Sequence, residues 1–145
     1  MEPFSGALAR HEALEIGFLP VPYHIAAAPD FRGTAPVALS RQWLQASGFN
    51  AEVLAFLPAL TDEMAPMLSV GALALIDASR TTADDDSIWA VSHGGRYTFA
   101  RIQTPSPDMM ILKCDKPNQP VQIIKGEELR MIKVIGRVVW CAQQP

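Results

Sequence analysis

TDEMAPMLSVGALALIDASR, residues 61–80, is the stretch whose reading decides the fold. Its first half is polar and interrupted by Pro66, as a loop is, while VGALALIDA is a short continuous apolar run of the kind a buried strand carries. A loop that feeds into a buried strand holds its side chains over a rigid sheet, where reactive groups are commonly found. Working outward from it in both directions yields mainly strands.

Downstream, Ala83-Asp84-Asp85-Asp86-Ser87 reads as a turn. SIWAVSH (87–93) and RYTFARIQ (96–103) flank Gly94-Gly95 as a hairpin. MMILKC (109–114), VQIIK (121–125) and, after the polar GEELR, MIKVIGRVVWC (131–141) complete the set. Upstream, SRQWLQASG (40–48) predicts a helix with Ser40 as its cap, Trp43 and Leu44 on one side and Gly48 at its stop. NAEVLAFL adds another turn before the chain extends in this reading, and FLPVPYHI (18–25) pairs at a sheet edge, where proline is tolerated. Residues 1–17, with a short helical possibility around ALARHEALEI, form an arm or hinge, and 18–145 form the domain. The expected class is mostly β, with six or seven strands, one or two short helices and a Greek-key, partly barrel-like closure.

Composition narrows the function classes. A chain of 145 residues with 49% hydrophobic and 19% charged residues can bury one core. A net charge of −3 gives no overall positive field to draw it to nucleic acid. Apolar runs such as VGALALI fall short of the ~20 residues needed to cross a bilayer, and no secretory signal opens the chain. The expectation is a cytoplasmic protein without membrane contact. Cys114 and Cys141 make no CxxC or metal pattern and read as buried free thiols. His11, His24 and His93 are widely separated, and the three aspartates lack the spacing of a calcium loop. No metal and no cofactor is expected.

DEMAPML, VGALALIDASR, SIWAVSHGGRYTFARIQ, KCDKPNQP and VIGRVVW occur in this order over residues 18–141. Together they resemble the C-terminal domain of LexA-like and lambdoid phage repressors, a serine-lysine self-cleaving peptidase family with a signal-peptidase-like fold. The resemblance implies a β domain that dimerises a repressor whose separate helix-turn-helix domain binds operator DNA. It also implies self-cleavage of a hinge, stimulated by RecA filaments after DNA damage. The nucleophile of that family is the serine of a D-S-M-x-P loop, and the base is a buried, neutral lysine on a later strand.

Both positions are substituted here. The serine position corresponds to Glu63, between Asp62 and Met64, and the lysine position to Ala100 in YTFARIQ; their separation, 100 − 63 = 37, suits the family spacing. Arg101 stays protonated and faces the other side of its strand, Ser69 has no lysine at a matching strand position, and Lys113 sits on a different predicted strand. The hinge departs as well. In IAAAPDFRG, Ala27, Ala28 and Pro29 stand where an Ala-Gly bond would fall, and a proline there restricts the chain.

The resemblance therefore points to a non-cleaving homodimerisation domain of a phage- or prophage-type repressor. Its interface candidates are Val134, Ile135, Arg137 and Val139 on the last strand, where VIGRVVW serves equally as core. Operator DNA would be reached only through a domain outside these residues, since SRQWLQASGFNAEVLAFL carries one basic residue, Arg41. RecA or other repressor subunits are the further partners implied. The alternatives are a stand-alone interaction protein, UmuD-like or forming mixed dimers with a repressor, and an active hydrolase using Glu63 beside Asp62.

Overall fold

Short apolar runs punctuated by turn residues become nine strands among the described residues, 17–27 and 36–145, of a computed structural model. β1 (Phe18–Val21) and β2 (Val37–Ser40) form a two-stranded antiparallel sheet, small enough for Pro20 to sit in it opposite Ala38. α1 (Arg41–Ser47) follows at once. The Ser40 hydroxyl accepts the Trp43 amide at 3.1 Å, and Gly48 ends the helix at φ 75°. Both capping expectations hold.

The main sheet holds β3 (Leu54–Pro58), β4 (Leu73–Asp77), β5 (Ile88–His93), β6 (Arg96–Ser106), β7 (Met109–Lys113), β8 (Gln122–Lys125) and β9 (Ile132–Ala142). Their spatial order is β3-β4-β9-β5-β6-β7-β8, and every named pair is antiparallel. β5, β6 and β7 are joined as successive hairpins and β9 returns beside β5, which is the Greek-key relation. The β5–β6 turn uses Gly94 and Gly95 at φ 61° and 80°, positions that a two-residue hairpin reserves for residues tolerating positive φ. The mostly β class is therefore the observed one.

β9 is the spine of the sheet. Its first half pairs with β5 as far as Arg137↔Trp89, and its second half pairs with β4 from Arg137↔Asp77 to Ala142↔Leu73. It carries one more residue than its partner at two places, Ile135 against β5 and Val139 against β4, and such bulges bend a long strand. Beyond Arg137, Val138–Ala142 has no strand on its β5 side among the described residues.

Three apolar clusters fill the fold. One, centred on Leu57, Ile76, Ala90 and Phe99, receives the loop residues Met64 and Leu68; a second surrounds Trp89 and Ile102; the third joins Val21 and Leu44 to Phe56 and Leu75. The last of these fastens the small sheet and α1 to the main one, together with a parallel bridge between Tyr23 and Phe56.

Some expectations are corrected. NAEVLAFL supplies the expected turn, a 3-10 turn at Ala51–Val53, and the chain then extends as β3, a strand outside the expected set, because the five consecutive buried residues of LAFLP suit a strand covered on both faces. The polar GEELR belongs to a second 3-10 helix, Gly126–Met131, with Leu129 packed against the Trp89 cluster. β2 and β3 raise the strand count above six or seven. Cys114 and Cys141 are free but half-buried, not buried. The segment around ALARHEALEI, nearly all of the 1–17 arm, and Ala28 and Pro29 lie outside the described residues.

Candidate functional site

The loop 59–72 is built by its own backbone and two apolar anchors. Ala59 donates to the Ala72 carbonyl at 2.8 Å and Gly71 to Ala59 at 2.9 Å, closing the base. Inside it Ala65 donates to Asp62 and Leu68 to Met64, so the chain coils tightly. Met64 and Leu68 are 2% and 1% exposed, and burying them fixes which way the remaining side chains point. Asp62 is left in solvent and Glu63 is half-buried.

A second segment braces this loop from the side. Lys116 places Nζ 2.7 Å from an Asp62 carboxylate oxygen and donates its backbone N–H to the Glu63 carbonyl at 2.9 Å. The hydrogen bond from Lys116, reinforced by its charge, holds the Asp62 carboxyl below its ordinary range and pushes the Lys116 ammonium up. KCDKPNQP thus acts as a brace on the 61–68 loop. From the far end of β9, Gln143 accepts the Ser69 amide and donates to the Pro66 carbonyl.

Glu63 and Ala100 line the same cleft, a cavity of about 370 Å³ between the loop and β6. Ala100 is 2% exposed and pairs with Trp89 across β5. Its neighbour Arg101 leaves by the opposite face, as alternation requires. There Nε and Nη2 grip both oxygens of Asp115 at 2.7 and 2.9 Å, and Nη1 donates to the Asp86 carbonyl at 2.6 Å. The bond to Asp115 raises the guanidinium pKa further, so Arg101 is neither in the cleft nor able to take a proton.

The cleft is also lined by Thr61, Tyr97, Thr98 and Cys114. Tyr97 spends its hydroxyl on the Pro58 carbonyl at 2.6 Å, and burial raises its pKa to about 12. Cys114 has its thiol pKa raised by burial and then by the charges of Glu63 and Asp115, which disfavours the thiolate. His93 sits at the rim, 3.7 Å from Glu128. Among the described residues no lysine lines the cleft. Asp62 is drawn away to Lys116, so among the described residues no second carboxylate lines the cleft beside Glu63.

The structure scatters the other expected site residues. Ala27 is 2% exposed in the cluster that also holds Met64 and Leu68, which brings the described end of the hinge beside the loop. Ile135, 5% exposed, is taken by the core of its own chain. Val134 and Val139 are half-buried on the Trp89 and Phe56 clusters, and Arg137 donates to the Ser87 hydroxyl at 2.8 Å and lies 3.5 Å from Asp85. The acidic turn is consequently an ordered network, with Asp85 also 4.0 Å from Arg80. Its side chain accepts the Ser87 amide, and its pKa is lowered by the Ser87 hydrogen bonds before Arg137 and Arg80 add to them. Trp140, 40% exposed, stacks edge-on against Trp43 at 5.3 Å between centroids. Gln143 and Lys116 had no signature as braces, because each acts on backbone or charge far away in sequence.

Among the described residues no three His, Cys, Asp or Glu side chains group to hold a metal, and no helix is long and apolar enough to cross a membrane. An antiparallel, Greek-key sheet with an anchored loop over a strand-lined cleft defines a LexA- or signal-peptidase-like β domain. The family model described as Peptidase S24-like matches residues 24–139, and the chain belongs to that family. No curated protein matched in a sequence comparison.

Proposed function

We propose that this chain is a non-cleaving, self-associating regulatory domain of a phage- or prophage-type repressor, working in the cytoplasm. The observation that carries the reading is the pair Glu63 and Ala100 in one cleft. Serine-lysine chemistry needs a hydroxyl to attack and a neutral amine to take its proton. A carboxylate and a methyl group supply neither. DNA would be contacted through a helix-turn-helix domain outside these residues; in the alternative reading, a stand-alone interaction protein, mixed dimers with an intact repressor would use the same surface.

That surface is the second half of β9. Val138–Ala142 offers an edge unpaired on one side, and beside it lies a cavity of about 260 Å³ lined by Met67, Ile88 and Val138–Cys141. An exposed edge with apolar side chains invites an added strand. Two copies meeting antiparallel about Trp140 would satisfy both edges under one two-fold axis. Val139 of the expected interface belongs to this segment, whereas Ile135 serves the core.

The test is prolonged incubation at about pH 10, where a lysine base would be neutral, and separately with activated RecA filaments. One intact mass is expected throughout; two fragments summing to the chain would refute the reading. Sedimentation across a dilution series should show a dimer that Trp140→Glu converts to monomer. A chain monomeric at every concentration would remove the self-association half. An unchanged mass with hydrolytic activity lost in Glu63→Gln would instead support the hydrolase.

A further inference from the structure

His24 closes a turn at the point where the chain leaves β1 for the hinge segment. Its Nδ1 accepts the Ala26 amide N–H at 3.0 Å, and its carbonyl accepts the Ala27 amide at 2.9 Å. Its own N–H donates to the Phe56 carbonyl at 2.9 Å, so the turn is sewn to β3. The result is that Ala27 sits 2% exposed in the core cluster with Met64 and Leu68, although the adjacent Ile25 is 79% exposed. A methyl group contributes little by burial, so backbone hydrogen bonds carry much of this docking.

We infer that His24 is a proton-sensitive latch: its neutral ring holds residues 24–27 against the core, and protonation releases them. A ring nitrogen that has gained a proton is a donor and can no longer accept the Ala26 N–H. Both amide and imidazolium would then face each other without an acceptor. The surroundings push the same way. Burial, and then the charge of Lys133 on β9, lower the His24 pKa from 6.5. β3 offers no titratable side chain from Leu54 to Pro58, and the cluster receiving Ala27 is flanked by Tyr23, Tyr97, Cys114 and Cys141. No carboxylate is positioned in this set to welcome the imidazolium.

The sign follows from the lowered value. The latched state binds protons less readily than the released state, so latching is complete above about pH 6.5 and weakens as pH falls from there through the lowered pKa. Over that window the released fraction rises by up to about tenfold per pH unit.

The experiment is amide exchange by NMR on the full chain at about pH 7.5 and about pH 5, expressed as protection factors, with the Trp89–Val91 amides as a reference for global stability. Ala26 and Ala27 should lose protection at the lower pH, by at most about tenfold per pH unit, while the reference amides do not. His24→Asn supplies a side-chain oxygen that accepts the same i+2 amide without titrating, so protection should persist at both pH values. His24→Ala should lose it at both. Equal protection of Ala26 and Ala27 at the two pH values in the native chain, or a native-like pH response in His24→Asn, would overturn the inference. If His24→Ala fails to fold, the native and His24→Asn comparison still decides.

Discussion

Gln143 holds Ser69 across 74 residues of sequence: its side-chain oxygen accepts the Ser69 amide at 3.0 Å while its side-chain nitrogen donates to Pro66 at 3.1 Å. One planar amide thereby satisfies a backbone donor and a backbone acceptor of the loop that carries Glu63. Both bonds are exposed, so each contributes at the low end of the usual ~0.5–1.5 kcal/mol. Gln143→Ala should lower the urea midpoint only slightly but speed exchange of the Ser69 amide markedly. Unchanged exchange at Ser69 would show that the loop is held by Met64 and Leu68 alone.

The Arg101–Asp115 pair should matter more, because its two side chains are 27% and 22% exposed and the contact is bidentate. Arg101 also donates to the Asp86 carbonyl, so one fork ties β6 to the segment after β7 and to the acidic turn. Lysine keeps the charge but cannot reproduce three directed bonds. Arg101→Lys is expected to cost about 1–3 kcal/mol in urea denaturation. A loss no larger than that of an exposed pair, ~0.5 kcal/mol or less, would make this contact an ordinary surface bridge.

Which parts of this architecture were visible in the sequence follows from the range of the forces involved. Ser40, Gly48 and Gly94-Gly95 were legible because caps and hairpin turns are local, each residue acting on backbone within a few positions. The apolar runs of β4 to β9 were legible for the same reason. β3 was not set apart as a strand because LAFLP has no alternation: continuous apolar residues mark a strand covered on both faces as readily as a helix turn. The pairing of Glu63 with Ala100 in one cleft came through the family motifs, not through any pattern in composition. The latch at His24, the Lys116 brace and the Gln143 clamp were invisible, since each depends on a partner fixed only by the folded chain.

Gly136 has a requirement that its place in an apolar strand conceals. A Cβ built there would lie 2.7 Å from the Asp77 carbonyl oxygen and 3.2 Å from the Ala78 Cα, both backbone atoms that cannot rotate away. This close approach falls next to the bulge at Ile135, where β9 passes from β5 to β4. In an open strand, alanine would gain from a smaller loss of chain entropy. Here Gly136→Ala should instead destabilise by about 1–3 kcal/mol, because β4 and β9 must separate to admit the methyl group. A thermal midpoint equal to or above that of the native chain would contradict the contact.

Tyr97 predicts how the fold fails in alkali. Its hydroxyl donates to the Pro58 carbonyl at the end of β3, and burial raises its pKa from 10.0 to about 12. A phenol that ionises later in the folded state than in the unfolded one contributes stability that is complete below pH 10 and is lost as pH rises toward about 12. The phenolate would also be forced against a carbonyl oxygen with no proton between them. Tyr97→Phe should cost about 1 kcal/mol near neutral pH through the unsatisfied Pro58 carbonyl. Its urea midpoint should then fall less steeply above pH 10 than that of the native chain. Parallel decline of the two midpoints through that range would place the alkaline weakness on other groups and detach Tyr97 from it.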